Sequence, residues 1–212
     1  MLVLGLDTSS AAVSAALVEV TAGGCRTVRE SSVLDGRRHG ELLAVGVREV
    51  LSGARPDAVV VGTGPGPFTG LRVGLVTAAV TADALGVPAY GVCSLDGLTD
   101  GRDVVVVTDA RRREVYWARY CGGVRVQGPA VVAPAVLAAS LAPGTVVVGA
   151  GALLHHDAFE AVADYPAHTS VPALVAVAAD RVLAGAPSDA LTPLYLRRPD
   201  AVEPGARKKV TA

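Results

Sequence analysis

The sequence contains no isoleucine and no asparagine, and aromatic residues fill only 4% of its 212 positions. Ala and Val together make up roughly a third of the chain, so the core is built from Val, Leu and Ala and its elements can approach closely. Cysteine is scarce: Cys25, Cys93 and Cys121 are odd in number and far apart, which gives neither a disulfide framework nor a zinc spacing. The histidines are His39, His155, His156 and His168, and no two of them form a His-x-x-x-His or His-Glu-x-x-His pair, so no metal site is expected. An excess of charge is missing as well. Nineteen basic residues against 20 acidic ones leave a net charge of −1, which excludes a free-standing nucleic-acid binder. A hydrophobic content of 51% excludes intrinsic disorder. No uninterrupted apolar run reaches the roughly 18 residues a spanning helix needs. The longest, residues 73–82, is bracketed by Arg72 and Asp83. Residues 1–6 are too short an apolar run, without a basic start, for a signal peptide. The mean hydropathy of +0.45 therefore reads as an aliphatic core, and the expected location is cytoplasmic, with no membrane contact.

What is present has a clear order. Residues 2–6 form an apolar strand ending in the turn formers Asp7-Thr8-Ser9-Ser10, and residues 11–20 and 26–33 form two more, joined by the flexible Thr21-Ala22-Gly23-Gly24. Short connections make these three antiparallel. A helix over 41–51 follows, with apolar residues on more than one face. From there the chain alternates: a buried strand over 58–61, a Gly/Pro loop, a helix over 69–85 stopped by Gly86 and Pro88, and a strand over 89–92. Three antiparallel strands followed by alternating units predict an α/β fold of the ribonuclease-H type, the building block of two-lobed actin-like proteins. The first lobe is expected over 1–100 and a smaller, reduced second lobe over 101–212. The second lobe holds strands over 104–108 and 145–148, a hairpin strand over 114–120 and helices over 134–141, 153–163 and 173–184. Its last residues, with Arg207-Lys208-Lys209, read as a flexible tail.

The most informative stretch is 62–85. Gly62-x-Gly64-x-Gly66 between a strand and a helix invites a phosphate-binding reading. Pro67 stands where a dinucleotide fingerprint needs Gly or Ala, Pro65 and Pro67 offer no N–H, and no Gly-Lys-Ser/Thr follows. The loop is therefore mechanical, with Thr69 the expected N-cap of the helix. Along that helix Gly70, Gly74, Ala78 and Ala82 recur every four residues as a stripe of small side chains. Such a stripe lets another helix come close: either one from an outside partner or the 41–51 helix of the same lobe.

These residues carry a family resemblance. Leu4-Gly5-Leu6-Asp7-Thr8-Ser9, Arg38-His39-x-Glu41, Gly62-x-Gly64-Pro65-Gly66-x-Phe68-Thr69-Gly70-Leu71-Arg72-x-Gly74, Gly91-Val92-x-Ser94-Leu95, Asp109-Ala110-Arg111-Arg112-x-Glu114-Val115-Tyr116, Gly149-x-Gly151-Ala152 and Pro193-x-Tyr195-Leu196-Arg197 run in order along the chain. Together they resemble the bacterial TsaB (YeaZ) family of tRNA threonylcarbamoyladenosine biosynthesis proteins, of the actin-like superfamily. Pro67 departs from the family pattern, where Ser is expected. The resemblance implies a non-catalytic scaffold subunit without a catalytic residue or metal of its own. It would pair as a heterodimer with a TsaD-like subunit, which transfers the threonylcarbamoyl group to a tRNA adenosine. A TsaE-like ATPase and the tRNA would join the assembly, and ATP or ADP with magnesium would enter only there. The implied partner interface is Phe68, Gly70, Leu71, Arg72, Gly74 and Leu75, to which the stripe adds Ala78; on this reading Gly74→Leu blocks the partner and leaves the chain folded.

Two features stay open. Asp7, with Thr8 and Ser9, is either nucleotide-proximal, as the acidic residue after the first strand is in active members of the superfamily, or a turn residue closing the strand. Arg111 to Arg113 are either an exposed hairpin turn or a tRNA contact. An alternative function is a stand-alone actin-like ATPase or small-molecule kinase using Asp7; a metallopeptidase lacks its ligands. Without its partner the chain is expected to be able to form a homodimer through the same surface.

Overall fold

The computed structural model describes residues 1–163 and 165–197, so the expected tail at the end of the chain lies outside the described residues. Strand β1 (Leu2–Asp7) lies in the middle of a five-stranded mixed sheet. It pairs antiparallel with β2 (Ala12–Thr21), which pairs antiparallel with β3 (Gly24–Leu34). On its other side it runs parallel to β4 (Ala58–Gly62), which runs parallel to β5 (Ala89–Val92), giving the order β3-β2-β1-β4-β5. A second sheet repeats this plan. Strand β6 (Val104–Asp109) pairs antiparallel with β7 (Val115–Cys121), and β7 with β8 (Val124–Val132). On the other side β6 runs parallel to β9 (Val146–Val148), and β9 to β10 (Ala161–Val162). The fold is the two-lobed actin-like, ribonuclease-H-like arrangement expected.

Alternation along β1 assigns its side chains to two cores. Leu4 and Leu6 meet α1 (His39–Leu51) and α2 (Phe68–Leu85) through Leu43, Leu75 and Ala78. Val3, with Val18, Val60 and Tyr90, faces the opposite way and meets Val171, Leu174, Val175 and Ala178 of α5 (Val171–Leu183). This last contact corrects the sequence reading, which placed a helix over 173–184 in the second lobe. The apolar face of α5 finds its partner on the first sheet, and Ser170 starts the helix by accepting a hydrogen bond from the Ala173 N–H at 3.3 Å. The expected helix over 153–163 is also absent. Helix α4 (Ala150–Leu154) breaks at His155, a 3-10 turn occupies His156–Ala158, and Ala161 and Val162 pair with β9 as a strand. Among the described residues the second lobe is thin on its helical side, with α3 (Pro134–Ser140) and α4 as its α-helices.

Helix α2 starts at Phe68, one residue before the predicted range and two before a Thr69 cap would place it. Its flanking residue is Pro67, in an extended conformation, and no side chain caps it. It ends on Gly86, whose positive φ of 65° is the left-handed cap for which glycine is suited. With 18 residues and a mean hydropathy of 1.3, α2 is long and apolar enough to span a membrane by composition. Leu71, Leu75, Ala78 and Ala82 are buried, the last three in the core over the first sheet, so one side of α2 is a core face. After α5 the chain runs back over both lobes. Asp189 N–H donates to Ala89 O at 2.9 Å and Leu194 N–H to Thr63 O at 2.8 Å. Arg197 then reaches Ala110 O and pairs with Glu114 at 2.9 Å in the second lobe.

Because α5 belongs to the first lobe's core, Leu174→Ala is expected to cost about 2–5 kcal/mol and to speed amide hydrogen exchange in β1 and β4 before β6 and β7. Exchange rising first in the second sheet would place the helix's packing there instead.

Candidate partner interface

The turn after β1 and the loop and helix after β4 meet in an unusually close contact. A Cβ placed on Gly62 would overlap Asp7 Oδ2, one on Gly66 would overlap Ser9 O, and one on Gly74 would overlap Thr8 Oγ1. At Gly70 it would stand 2.6 Å from Thr8 O. The glycines at 62, 66, 70 and 74 thus leave room for one four-residue turn. Hydrogen bonds fix the turn in that space. Thr8 Oγ1 donates to Gly70 O at 2.8 Å, and His39 Nε2 donates to Ser10 O at 2.9 Å.

Asp7 lies at the centre of this contact and is 2% exposed. Its Oδ1 accepts from the Ser9 N–H and hydroxyl at 3.0 and 2.8 Å, and its Oδ2 accepts from Ser94 Oγ at 2.6 Å. Ser94 Oγ in turn accepts from the Gly64 N–H at 3.0 Å, so the carboxylate ties together β1, the glycine loop and the 3-10 turn Ser94–Leu98 that follows β5. Burial pushes the Asp7 carboxyl above the ordinary carboxylate range, although the bonds from Ser94 and Ser9 oppose that rise. Thr8 and Ser9 are also buried, with their hydroxyls turned to Gly70 and Asp7. Of the two readings of Asp7, the geometry favours the structural one, because its oxygens are already engaged by the chain's own donors.

The small-residue stripe points inward. Gly70, Leu71, Gly74, Leu75 and Ala78 are all buried within the lobe. This corrects five of the expected interface residues: the four-residue period identifies a face of α2, and the face is filled by the Thr8 turn and the sheet. Phe68 and Arg72 are exposed. Their side chains form a small cluster in which the Arg72 guanidinium sits 3.9 Å from the Phe68 ring centre, Phe68 stacks on Tyr195 at 4.8 Å, and Arg72 Nε donates to Tyr195 Oη at 3.2 Å. Beyond them on α2 lie Val76 and Val80, 60% and 62% exposed, and α1 alongside contributes Val45 at 40%. Sequence reasoning missed this outer strip. The stronger small-residue period drew it to the opposite face, although Val76 and Val80, four residues apart, were the available signal. It also quoted Tyr195 and Arg197 without placing them against Phe68 and Ala110.

Where the lobes face each other, a cavity of about 200 Å³ is lined by Pro67, Phe68, Arg111, Tyr116, Tyr195 and Arg197. Arg111 and Arg112 of its lining belong to the turn Arg111 to Arg113, three successive non-glycine residues with φ of 63°, 53° and 60°. Among the described residues no group of three or more His, Cys, Asp or Glu stands together as metal ligands would.

A family model described as TsaD, tRNA N6-adenosine threonylcarbamoyltransferase, matches residues 35–202. The chain belongs to this family. Within it the chain is TsaB/YeaZ-like. It is 32% identical over 132 residues to the tRNA threonylcarbamoyladenosine biosynthesis protein TsaB of Escherichia coli, covering 57% of this chain and 55% of that one. The solved structure of YeaZ from Pseudomonas aeruginosa superimposes with a TM-score of 0.74 at 26% identity, covering 92% of this chain and all of that one. An uncharacterised protein of Mycobacterium tuberculosis is 48% identical over 209 residues, covering 94% of this chain and 93% of that one. An uncharacterised protein of Mycobacterium leprae is 46% identical over 207 residues, covering 94% of this chain, and this chain spans only 56% of it.

Two predictions follow from the buried contact in this TsaB-like chain. Gly74→Leu is expected to destabilise the isolated protein by about 1–3 kcal/mol or more, read as a lower urea midpoint, because Thr8 already fills the space. An unchanged midpoint would return the stripe to the surface. For Asp7, a carboxyl whose native pKa is raised stabilises the fold most when protonated and loses that contribution as pH rises through the native value. Asp7→Asn is therefore expected to gain stability relative to the parent as pH rises above the ordinary carboxylate range, read in a urea unfolding series. A gap that stays constant with pH would show the Asp7 carboxyl to be unshifted.

Proposed function

We propose that this chain is an accessory, non-catalytic subunit of tRNA N6-threonylcarbamoyladenosine synthesis that pairs with a TsaD-type transferase. Kinship with the E. coli biosynthesis protein TsaB and with the threonylcarbamoyltransferase family supports the pathway. The observation that carries the pairing is the outer strip of α1 and α2. Val45, Val76 and Val80 leave apolar surface in water beside the Phe68–Arg72–Tyr195 cluster, while the other side of α2 is pinned by the Thr8 turn. A helix held so firmly on one side presents a rigid, preorganised face on the other, and a rigid face loses little entropy on docking.

The mechanism is a population shift. A subunit that binds only the active arrangement of its partner raises the fraction of partner in that arrangement, by at most its difference in affinity for the two states. No reacting group of this chain is needed for that. A TsaE-like ATPase, tRNA, and ATP or ADP with magnesium act in the assembly. Without the partner the same strip can pair two copies of the chain about a two-fold axis.

The test is co-purification with the TsaD-type subunit of the same organism, together with the threonylcarbamoyladenosine content of tRNA measured by mass spectrometry. The double variant Val76→Glu, Val80→Glu places two charges on exposed positions and is expected to keep its fold, weaken co-elution at least tenfold and lower the modified nucleoside in parallel. Undiminished co-elution would mean that the partner, if one binds, uses another surface.

A further inference from the structure

A second cavity, of about 280 Å³, opens beside the first and is built from both lobes. The first lobe supplies Ser10, Arg37, His39 and Thr69, and the second supplies Arg111 across the gap. No aspartate or glutamate lines it. Arg37 is exposed, and its side chain has no ion-pair partner among the described residues. Arg111 has only a loose pair with Asp109, at 3.6 Å, and its side chain is 71% exposed. Such a pair leaves the guanidinium available to a stronger anion. Arg113, two residues on, is exposed and also without an ion-pair partner among the described residues. The backbone that displays these side chains is itself unusual. Arg111, Arg112 and Arg113 all adopt the left-handed conformation, which is unfavourable for a non-glycine residue. Strain of this kind persists where the surroundings enforce it and clusters at functional sites. Here Arg197 holds the turn from behind, through Ala110 O and Glu114.

We propose that Arg37 and Arg111, with Arg113 exposed on the same turn as Arg111, bind phosphates of an RNA strand, so that this chain contributes directly to tRNA binding by the assembly. The inference rests on the tRNA-modification role proposed above. Arg37 and Arg111 line one hollow from separate lobes, no Asp or Glu stands in its lining, and guanidiniums fit the bidentate, planar demands of a phosphate group. No Phe, Tyr or Trp lines this cavity, and His39 is buried with its Nε2 engaged by Ser10 O, so the contact reads phosphate rather than sequence. The overall charge of −1 is consistent with a local contact of this kind, one that adds to binding elsewhere in the assembly rather than supporting RNA binding alone.

The experiment is a fluorescence anisotropy titration of a labelled, unmodified tRNA transcript, at several salt concentrations, with the purified complex of this chain and its TsaD-type subunit. Arg37→Gln, whose parent side chain makes no ion pair, and the double variant Arg37→Gln, Arg111→Gln are compared with the parent. Each lost contact is expected to weaken binding about 3- to 10-fold and to lower the salt slope by about one, with co-elution of the two subunits unchanged. Equal affinity and slope for all three proteins, with the complex intact, would overturn the proposal and leave the pairing role standing. Inorganic phosphate and magnesium-ATP are added as competitors. If either binds in an Arg37-dependent way while tRNA affinity ignores both substitutions, the hollow is a small-anion site and the RNA assignment fails. If no complex forms, the pairing reading fails, and crosslinking of the lone chain to the same transcript at low salt, where a weak local phosphate contact is strongest, decides this one: crosslinking that falls in Arg37→Gln supports it and crosslinking that ignores the substitution overturns it.

Discussion

The structure depends on the absence of four Cβ atoms. Gly62, Gly66, Gly70 and Gly74 let the loop and helix after β4 lie directly on the turn Asp7 to Ser10, and from that contact the rest of the first lobe follows. The turn ends the central strand, so whatever lies on it is held in register with the middle of the sheet. Helix α2 is therefore fixed in rotation as well as position. Leu71, Leu75 and Ala78 are committed to the interior, and Val76 and Val80 are committed to the outside. Asp7 joins the same contact to the chain after β5 through Ser94, at the cost of burying a carboxyl among hydroxyls and backbone N–H groups.

The two lobes are joined by more than a hinge. Helix α5 lies after all of the second lobe's strands in sequence, yet it completes the core of the first. The segment that follows then returns across the gap, bonding to Ala89 and Thr63 on one side and to Ala110 and Glu114 on the other. Tyr195, midway along it, stacks on Phe68 at the start of α2. The face proposed for the partner and the arginine turn proposed for RNA are thus connected through three residues of one strap, Tyr195, Leu196 and Arg197.

Much of the fold was legible in the sequence because its signals are local. Strand alternation, the turn formers at 7–10 and 21–24, and the Gly86-Val87-Pro88 stop are short-range features, and the first five strands fell where they predicted within a residue or two. The helix over 153–163 misled because Val and Ala are compatible with either state. What decided it was pairing with β9, a contact between residues 15 apart that no local pattern encodes. Helix α5 was visible as an element and invisible as a member of the first lobe, since an apolar face does not state which sheet will cover it. The candidate site divides the same way. Spacing identified the small-residue face of α2, and only the position of Thr8, more than sixty residues away in sequence, determined that it was inside.

The repeated strand order gives the turn after β1 a counterpart in the turn after β6. Both follow an aspartate that ends the central strand of its sheet, Asp7 in one lobe and Asp109 in the other. Asp7 is enclosed by glycines and serines, whereas Asp109 bonds to the Arg111 N–H and remains partly open to water. The same strand order has thus been furnished with two chemically different corners. The first corner leaves no room for added volume around its carboxylate; at the second the carboxylate stays partly in water beside exposed guanidiniums, where dissolved salt screens it. Substitutions accumulated in homologous chains should therefore be restricted in size at one corner and in sign at the other.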